Sequence, residues 1–183
     1  MKWLWLFVAG VMLSGCAAMQ FGSPLAAAEL RNAKGETVGS ASFWEDGNGV
    51  RIVAQVRGIP AGRHGTHLHA VGKCDPPEFT TAGGHFNPGG KKHGLRNPAG
   101  PHAGDLPNLE VAADGTGRFE YVTKLVTLAS GPTSLFDADG SALVIHANPD
   151  DDVTDPTGNS GGRIACGVIR RAPQPAPRPT SGY

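Results

Sequence analysis

The sequence has no excess of charge of either sign. Lys and Arg total 16, Asp and Glu total 16, and the formal net charge is zero. A general nucleic-acid binder carries a basic excess, so no nucleic-acid partner is expected. Charged residues are scarce at 17%, below the usual quarter. The apolar run at residues 3–13 is eleven residues long, too short to span a bilayer. Good helix formers are sparse between turn residues, which argues against an all-α bundle. Cysteine is rare, with three in all, and no segment repeats. What the chain has in quantity is Gly and Pro, 27 + 15 = 42 of 183 residues. That is just short of the range, about 25–30%, of disordered chains. The length fits one domain that buries a real core, built of short strands joined by long loops.

Met1-Lys2 is a short positive start, and residues 3–13 suit the h-region of a signal peptide over residues 1–15. Leu13-Ser14-Gly15-Cys16 resembles the lipobox of bacterial lipoproteins, where cleavage before the Cys leaves it as the lipid-bearing N-terminus. An ordinary secretory signal with a chance Cys is the plainer alternative. Cleavage leaves 183 − 15 = 168 residues with a net charge of −1. More than one acyl chain on Cys16 gives stable membrane anchoring. Ala17, rather than Asp, follows Cys16, which by analogy favours the outer membrane, facing the periplasm of a bacterial cell envelope. With Cys16 lipidated, Cys74 and Cys166 remain and can pair in an oxidising compartment. Chain-entropy models put such a crosslink, closing a loop of about 90 residues, at roughly 4–5 kcal/mol.

Residues 16–24 read as a tether and 25–170 as the domain. Strand signals fall at residues 25–34, 37–45, 50–57, 65–70, 109–112, 118–128, 142–147 and 164–169. Turn residues such as Lys34-Gly35, Asp46-Gly47-Asn48-Gly49 and Asp114-Gly115 separate neighbours in a hairpin pattern. Eight short strands and no convincing helix predict an all-β antiparallel sandwich or barrel. Residues 71–108 have almost no periodicity and are full of Gly, Pro, His and Lys. A structureless loop that long is functional or disordered. The tail, 171–183, is Pro-rich and expected to be extended or disordered.

All seven histidines lie between positions 64 and 146. His67 and His69, two apart on a strand, point to one face. Alone, such a pair is a weak metal signal, since two exposed polar residues look the same. His85, His93 and His102 follow at intervals of eight and nine residues, with Asp105 three after the last. Three imidazoles and a carboxylate make a reasonable tetrahedral zinc set, and a metal supplies energy to order a Gly-rich loop. A mobile polar loop with chance histidines is the alternative. Imidazole also suits copper, and the donor count allows two metals.

Several motifs together resemble the copper,zinc superoxide dismutase family. They are Gly65-Thr66-His67-Leu68-His69 with Gly72, Gly84-His85-Phe86-Asn87-Pro88, Lys92-His93-Gly94, and Pro101-His102-Ala103-Gly104-Asp105-Leu106. Residues 158–169, GNSGGRIACGVI, continue the match, which covers roughly residues 25–170. The resemblance implies an eight-stranded Greek-key barrel with long metal-binding loops. It implies an enzyme that turns superoxide into dioxygen and hydrogen peroxide by alternate reduction and oxidation of copper bridged to zinc. His67, His69, His85 and His146 resemble the copper ligands, and His85, His93, His102 and Asp105 the zinc ligands. His85 is then the shared imidazolate, which also holds and supplies a proton. Asp150 resembles the carboxylate between a copper His and a zinc His, and His64 the family's hydrogen-bonded, unmetallated His. Arg163 resembles the Arg that receives the anion, and Cys74 and Cys166 match the family's intrachain disulfide.

Thr66 stands where relatives often carry an apolar residue, which alters local packing rather than ligation, and Ala70 replaces an acidic residue common after the copper pair. Residues 150–163 carry Asp151, Asp152 and Asp155 and no Lys, so Lys91 and Lys92 become candidates for steering the anion. A metal-buffering module and a structural β domain with degenerate sites would share the fold. The full ligand set favours the enzyme. The sequence leaves the oligomeric state open, a homodimer being one option, since no exposed apolar patch decides it.

Overall fold

Among the described residues, nine short strands arise where apolar residues alternate between turns, and eight of them close on themselves. The computed structural model describes residues 22–173; the expected signal segment, Cys16, most of the tether and residues 174–183 lie outside them. The strands are β1 (Ala26–Asn32), β2 (Thr37–Asp46), β3 (Gly49–Val56), β4 (Gly62–His69), β5 (Asp105–Val111), β6 (Gly117–Thr123), β7 (Ala142–His146), β8 (Arg163–Val168) and β9 (Arg170–Arg171). The sheet runs β2-β3-β6-β5-β4-β7-β8-β1, and β1 pairs back onto β2, so the barrel is closed and antiparallel. Closure removes the free edges that a sheet otherwise exposes. The chain passes from β3 to β4 across β6 and β5, the Greek-key crossover.

The interior holds Leu30, Phe43, Ile52, Leu106, Leu109, Leu143 and Ile145, all without solvent exposure. Truncating one of these to Ala costs about 2–5 kcal/mol. On β1 burial alternates, as expected of a strand with one face in water. On β4 the six residues from His64 to His69 are all buried. Leu68 faces the core, and His67 and His69 face the other way, beneath the loops 70–104 and 147–162.

Several boundaries differ from the sequence expectation, β4 among them, which starts three residues early at Gly62. β5 starts at Asp105, four residues early, because Leu106 and Asp105 pair with Thr66 and His67 despite the turn-like Gly104, Pro107 and Asn108. β6 ends at Thr123, opposite Val50, where β3 offers no further partner. Val126 and Leu128 still reach the core from outside the sheet. The start of the tail is ordered, since Arg170 and Arg171 pair with Ala27 and Ala26.

The long loop is ordered as well. A disulfide joins Cys74 to Cys166 of β8, Cα to Cα 5.7 Å. Phe79 and Ala82, in and beside a short 3-10 turn, pack with Ala142, Val144 and Cys166 on the outer face of β7 and β8. Small apolar contacts and one crosslink thus seat the loop beside His69 and Arg163.

Candidate metal centre

Strand geometry delivers the first donors. His67 and His69 project from β4, and His146 from the end of β7. A register shift between Ile145 and His146 sets His146 opposite Arg163 of β8. Such bulges re-aim side chains beside functional sites. His85, from the loop, makes an isolated bridge with His69. One ligand atom each from His67, His69, His85 and His146 lies within 4.8 Å of the others, and all four residues are buried.

A second group forms around Asp105. Its Oδ1 lies 3.0 Å from Nδ1 of His85, 3.1 Å from Nδ1 of His93 and 3.3 Å from Nδ1 of His102. Nδ1 of His102 is 3.4 Å from Nδ1 of His85. A tetrahedron with metal–donor bonds of about 2.0–2.1 Å has edges of about 3.3 Å. The four donors therefore stand at the spacing of a tetrahedral cage. His67 also lies within reach of His85, His93 and Asp105. Its Nε2 is committed to Asp150, however, so its free Nδ1 belongs with the first group.

His85 belongs to both groups. Its ring centroid is 3.9 Å from that of His67, 5.1 Å from those of His69 and His93, and 5.4 Å from that of His102. Nδ1 faces Asp105, and Nε2 is buried without a hydrogen-bond partner. Nδ1 of His67, Nε2 of His69 and Nε2 of His146 are also buried and unpartnered. A buried polar atom without a partner costs about 1–3 kcal/mol, and four in one place fit metal ions. Donors of this type suit copper and zinc.

The outward nitrogens are anchored. Nε2 of His67 donates to Asp150 at 2.5 Å, and Nε2 of His93 donates to the same carboxylate at 3.0 Å. Asp150 therefore spans the two groups. Nδ1 of His69 donates to the Gly83 carbonyl at 3.0 Å, and Nδ1 of His146 to that of Gly161 at 3.1 Å. Such partners fix tautomer and ring orientation. His64 stays outside both groups, with its nitrogens 2.8 Å from the carbonyls of His146 and Pro60. Gly158, at φ 61°, gives the site room. A Cβ there would lie 1.8 Å from Oδ1 of Asp150.

Electrostatics follow from burial and the two carboxylates. Burial lowers His67 to about 3, against the Asp150 hydrogen bond, and lowers His146 to about 4. Burial likewise holds His69 well below its ordinary value. Burial pulls His93 down too, but hydrogen bonds and charge from Asp105 and Asp150 reverse this and raise it to about 9. Burial pushes both carboxylates up, yet they end well below the usual range. Hydrogen bonds from His85 and His93 outweigh burial at Asp105, and those from His67 and His93 do so at Asp150.

Arg163 sits half-buried at the rim. It donates to the carbonyl of Phe79 at 2.5 Å and to that of Gly83 at 2.6 Å. The Gly83 carbonyl thus joins Arg163 to His69. Two residues that no motif marks support the site here. Asn108 clamps the main chain of Asp150, and Asp155 accepts the main-chain N–H of His93. Both act through backbone groups, which leave no motif. Asp155 also binds Nζ of Lys92 at 2.9 Å, which offsets the charge of that steering candidate.

The family model described as Copper/zinc superoxide dismutase (SODC) matches residues 37–169. The chain is 51% identical over 145 residues to superoxide dismutase (Cu-Zn) 2 of Aquifex aeolicus, covering 78% of this chain and 85% of that protein. It is 42% identical over 148 residues to the superoxide dismutase (Cu-Zn) of Caulobacter vibrioides, covering 79% and 85%. The crystal structure of a SOD-like protein from Bacillus subtilis superposes with a TM-score of 0.75 at 42% identity, covering 78% of this chain and 96% of that one.

Proposed function

Because this chain belongs to the copper/zinc superoxide dismutase family, we propose which of its residues carry each part of the family's reaction. The protein is an oxidoreductase that converts superoxide to dioxygen and hydrogen peroxide, with copper and zinc as cofactors. His67, His69, His85 and His146 hold copper, and His85, His93, His102 and Asp105 hold zinc. The four buried, unpartnered ring nitrogens support this assignment. Bound copper supplies alternating one-electron acceptance and donation, and zinc a fixed positive charge on the shared ring.

The chain's own groups do the rest. Arg163, with two of its N–H groups fixed on carbonyls, keeps others for a small anion beside His146, its partner across the ladder. His85, with Nδ1 on the Asp105 side, holds and delivers a proton at Nε2. Peroxide dianion is a poor leaving species in water, so a proton donor is needed there. Asp150 keeps His67 and His93 in the tautomer that turns Nδ1 inward.

The proposal extends to cell biology. Residues 1–15 are a lipoprotein signal peptide, 16–24 a tether, 25–170 the enzyme domain and 171–183 a Pro-rich tail. Cys16 carries lipid and anchors the enzyme to the outer membrane, facing the periplasm. The Leu13-Ser14-Gly15-Cys16 motif supports this. The Cys74–Cys166 disulfide adds support, since disulfides persist in oxidising compartments. Exposed Val122 and Leu125, at the end of β6, offer a second copy an apolar contact and support a homodimer. The test of function is superoxide consumption by the copper- and zinc-loaded protein. His146→Ala should abolish turnover with zinc retained; turnover at the wild-type rate would reject the assignment.

A further inference from the structure

Four site histidines turn an outward nitrogen to an acceptor within hydrogen-bond distance: His67 and His93 to Asp150, His69 to Gly83 and His146 to Gly161. His102 is served differently. With Nδ1 turned toward Asp105, its proton sits on Nε2. Oδ1 of Asp155 faces that nitrogen at 3.8 Å. The same oxygen accepts the main-chain N–H of His93 at 2.7 Å. Oδ2 takes Nζ of Lys92 at 2.9 Å. One carboxylate from the 147–162 loop therefore holds the main chain of His93 and stands beside the ring of His102, two of the three histidines around Asp105.

We propose that Asp155 is a positioning residue of the zinc side, fixing the main chain at His93 and the ring of His102 and so setting how long zinc stays bound. The contacts divide the labour between two aspartates. Asp150 touches one ring from each group, His67 and His93. Asp155 accepts the main-chain N–H of His93 and stands 3.8 Å from the His102 ring, and neither residue belongs to the copper group. Its loss therefore loosens zinc and spares copper. The Lys92 pair does not account for this role, because both side chains are substantially exposed, 62% and 34%. Exposed ion pairs of that kind contribute little. The main-chain contact is different in kind, since His93 is fully buried and its N–H needs a partner. Outer partners of metal ligands characteristically change metal affinity by about 10–100-fold.

The proposal rests on the zinc assignment above, and the test separates the two. Zinc release from the copper- and zinc-loaded full chain is followed with a chromogenic chelator, and cobalt is placed at the zinc position for its visible spectrum. Asp155→Ala should release zinc about 10–100-fold faster, shift the cobalt bands and leave copper release within twofold of wild type. Asp155→Asn keeps an acceptor for the His93 N–H and should fall between; it also serves if Asp155→Ala does not fold. Lys92→Met should match wild type. Three results would each overturn the role: zinc release within twofold of wild type in both Asp155 variants, equal acceleration of copper and zinc, or Lys92→Met reproducing Asp155→Ala. Wild type taking up no cobalt, or His102→Ala leaving its spectrum unchanged, would instead reject the zinc assignment and the proposal with it.

Discussion

Asn108 and Asp150, forty-two residues apart, hold each other in both directions. The main-chain N–H of Asp150 donates to Oδ1 of Asn108 at 2.7 Å, and Nδ2 of Asn108 donates to the Asp150 carbonyl at 2.9 Å. The Asp150 carboxylate binds one ring from each metal group. Asn108 on β5 therefore steadies the link between the two.

Asn108→Ala removes both bonds and leaves a buried N–H of Asp150 unpaired, a cost of about 1–3 kcal/mol. Affinity for both metals should fall by about 10–100-fold. Competition against chelators of known affinity measures this. Loss of one metal with the other unaffected would contradict the linking role of Asp150.

Arg163→Met should slow superoxide consumption by about tenfold or more and flatten its dependence on ionic strength, because the positive charge at the rim is gone. Arg163→Lys should recover only part, since a single ammonium cannot match the fork that spans the carbonyls of Phe79 and Gly83. Stopped-flow rates across a salt series decide the point. Unchanged rate and slope would remove Arg163 from anion capture.

The double substitution Cys74→Ser, Cys166→Ser opens the crosslink behind Phe79 and Gly83, which hold Arg163. Denaturant unfolding should show a loss of about 2–5 kcal/mol. Turnover per bound copper should fall as well. Full turnover with reduced stability would confine the disulfide to a structural role.

The metal-free protein should be most stable near pH 6.5. His67 and His146 fold with values of about 3 and 4 against an ordinary 6.5, through burial. Between those values and 6.5 the unfolded chain binds more protons, so stability rises with pH and is fully present above 6.5. His93 runs the other way. Burial lowers it, but Asp105 and Asp150 raise it to about 9, so its contribution is full below 6.5 and is lost by about 9. Urea titrations from pH 4 to 9 should show a maximum between the two windows; a monotonic rise to pH 9 would contradict the His93 environment.

The barrel was legible because β2, β3 and β7 carry apolar residues between clear turns, and their bounds agree with the expectation within one residue. The histidine clusters were legible because the histidines crowd into one stretch of chain, two of them at strand spacing and three beside a carboxylate, the residue types that suit zinc and copper. β5 was half hidden, since Gly104, Pro107 and Asn108 read as turn, while their pairing with β4 is a long-range fact. Asn108 and Asp155 were invisible for a related reason. Each binds main-chain atoms 42 and 62 positions away, and any residue type can supply a backbone N–H. Gly158 opens the GNSGGRIACGVI motif, but the need for a missing Cβ beside Asp150 appears only in three dimensions.

On this reading a copper and a zinc share His85. Anomalous diffraction at the copper and zinc edges, on crystals of the fully loaded, disulfide-intact protein, tests it directly. The expected result is one copper beside Nε2 and one zinc beside Nδ1 of His85 in each chain. Copper found away from His85, or a single metal occupying both positions, would rule out the shared ring.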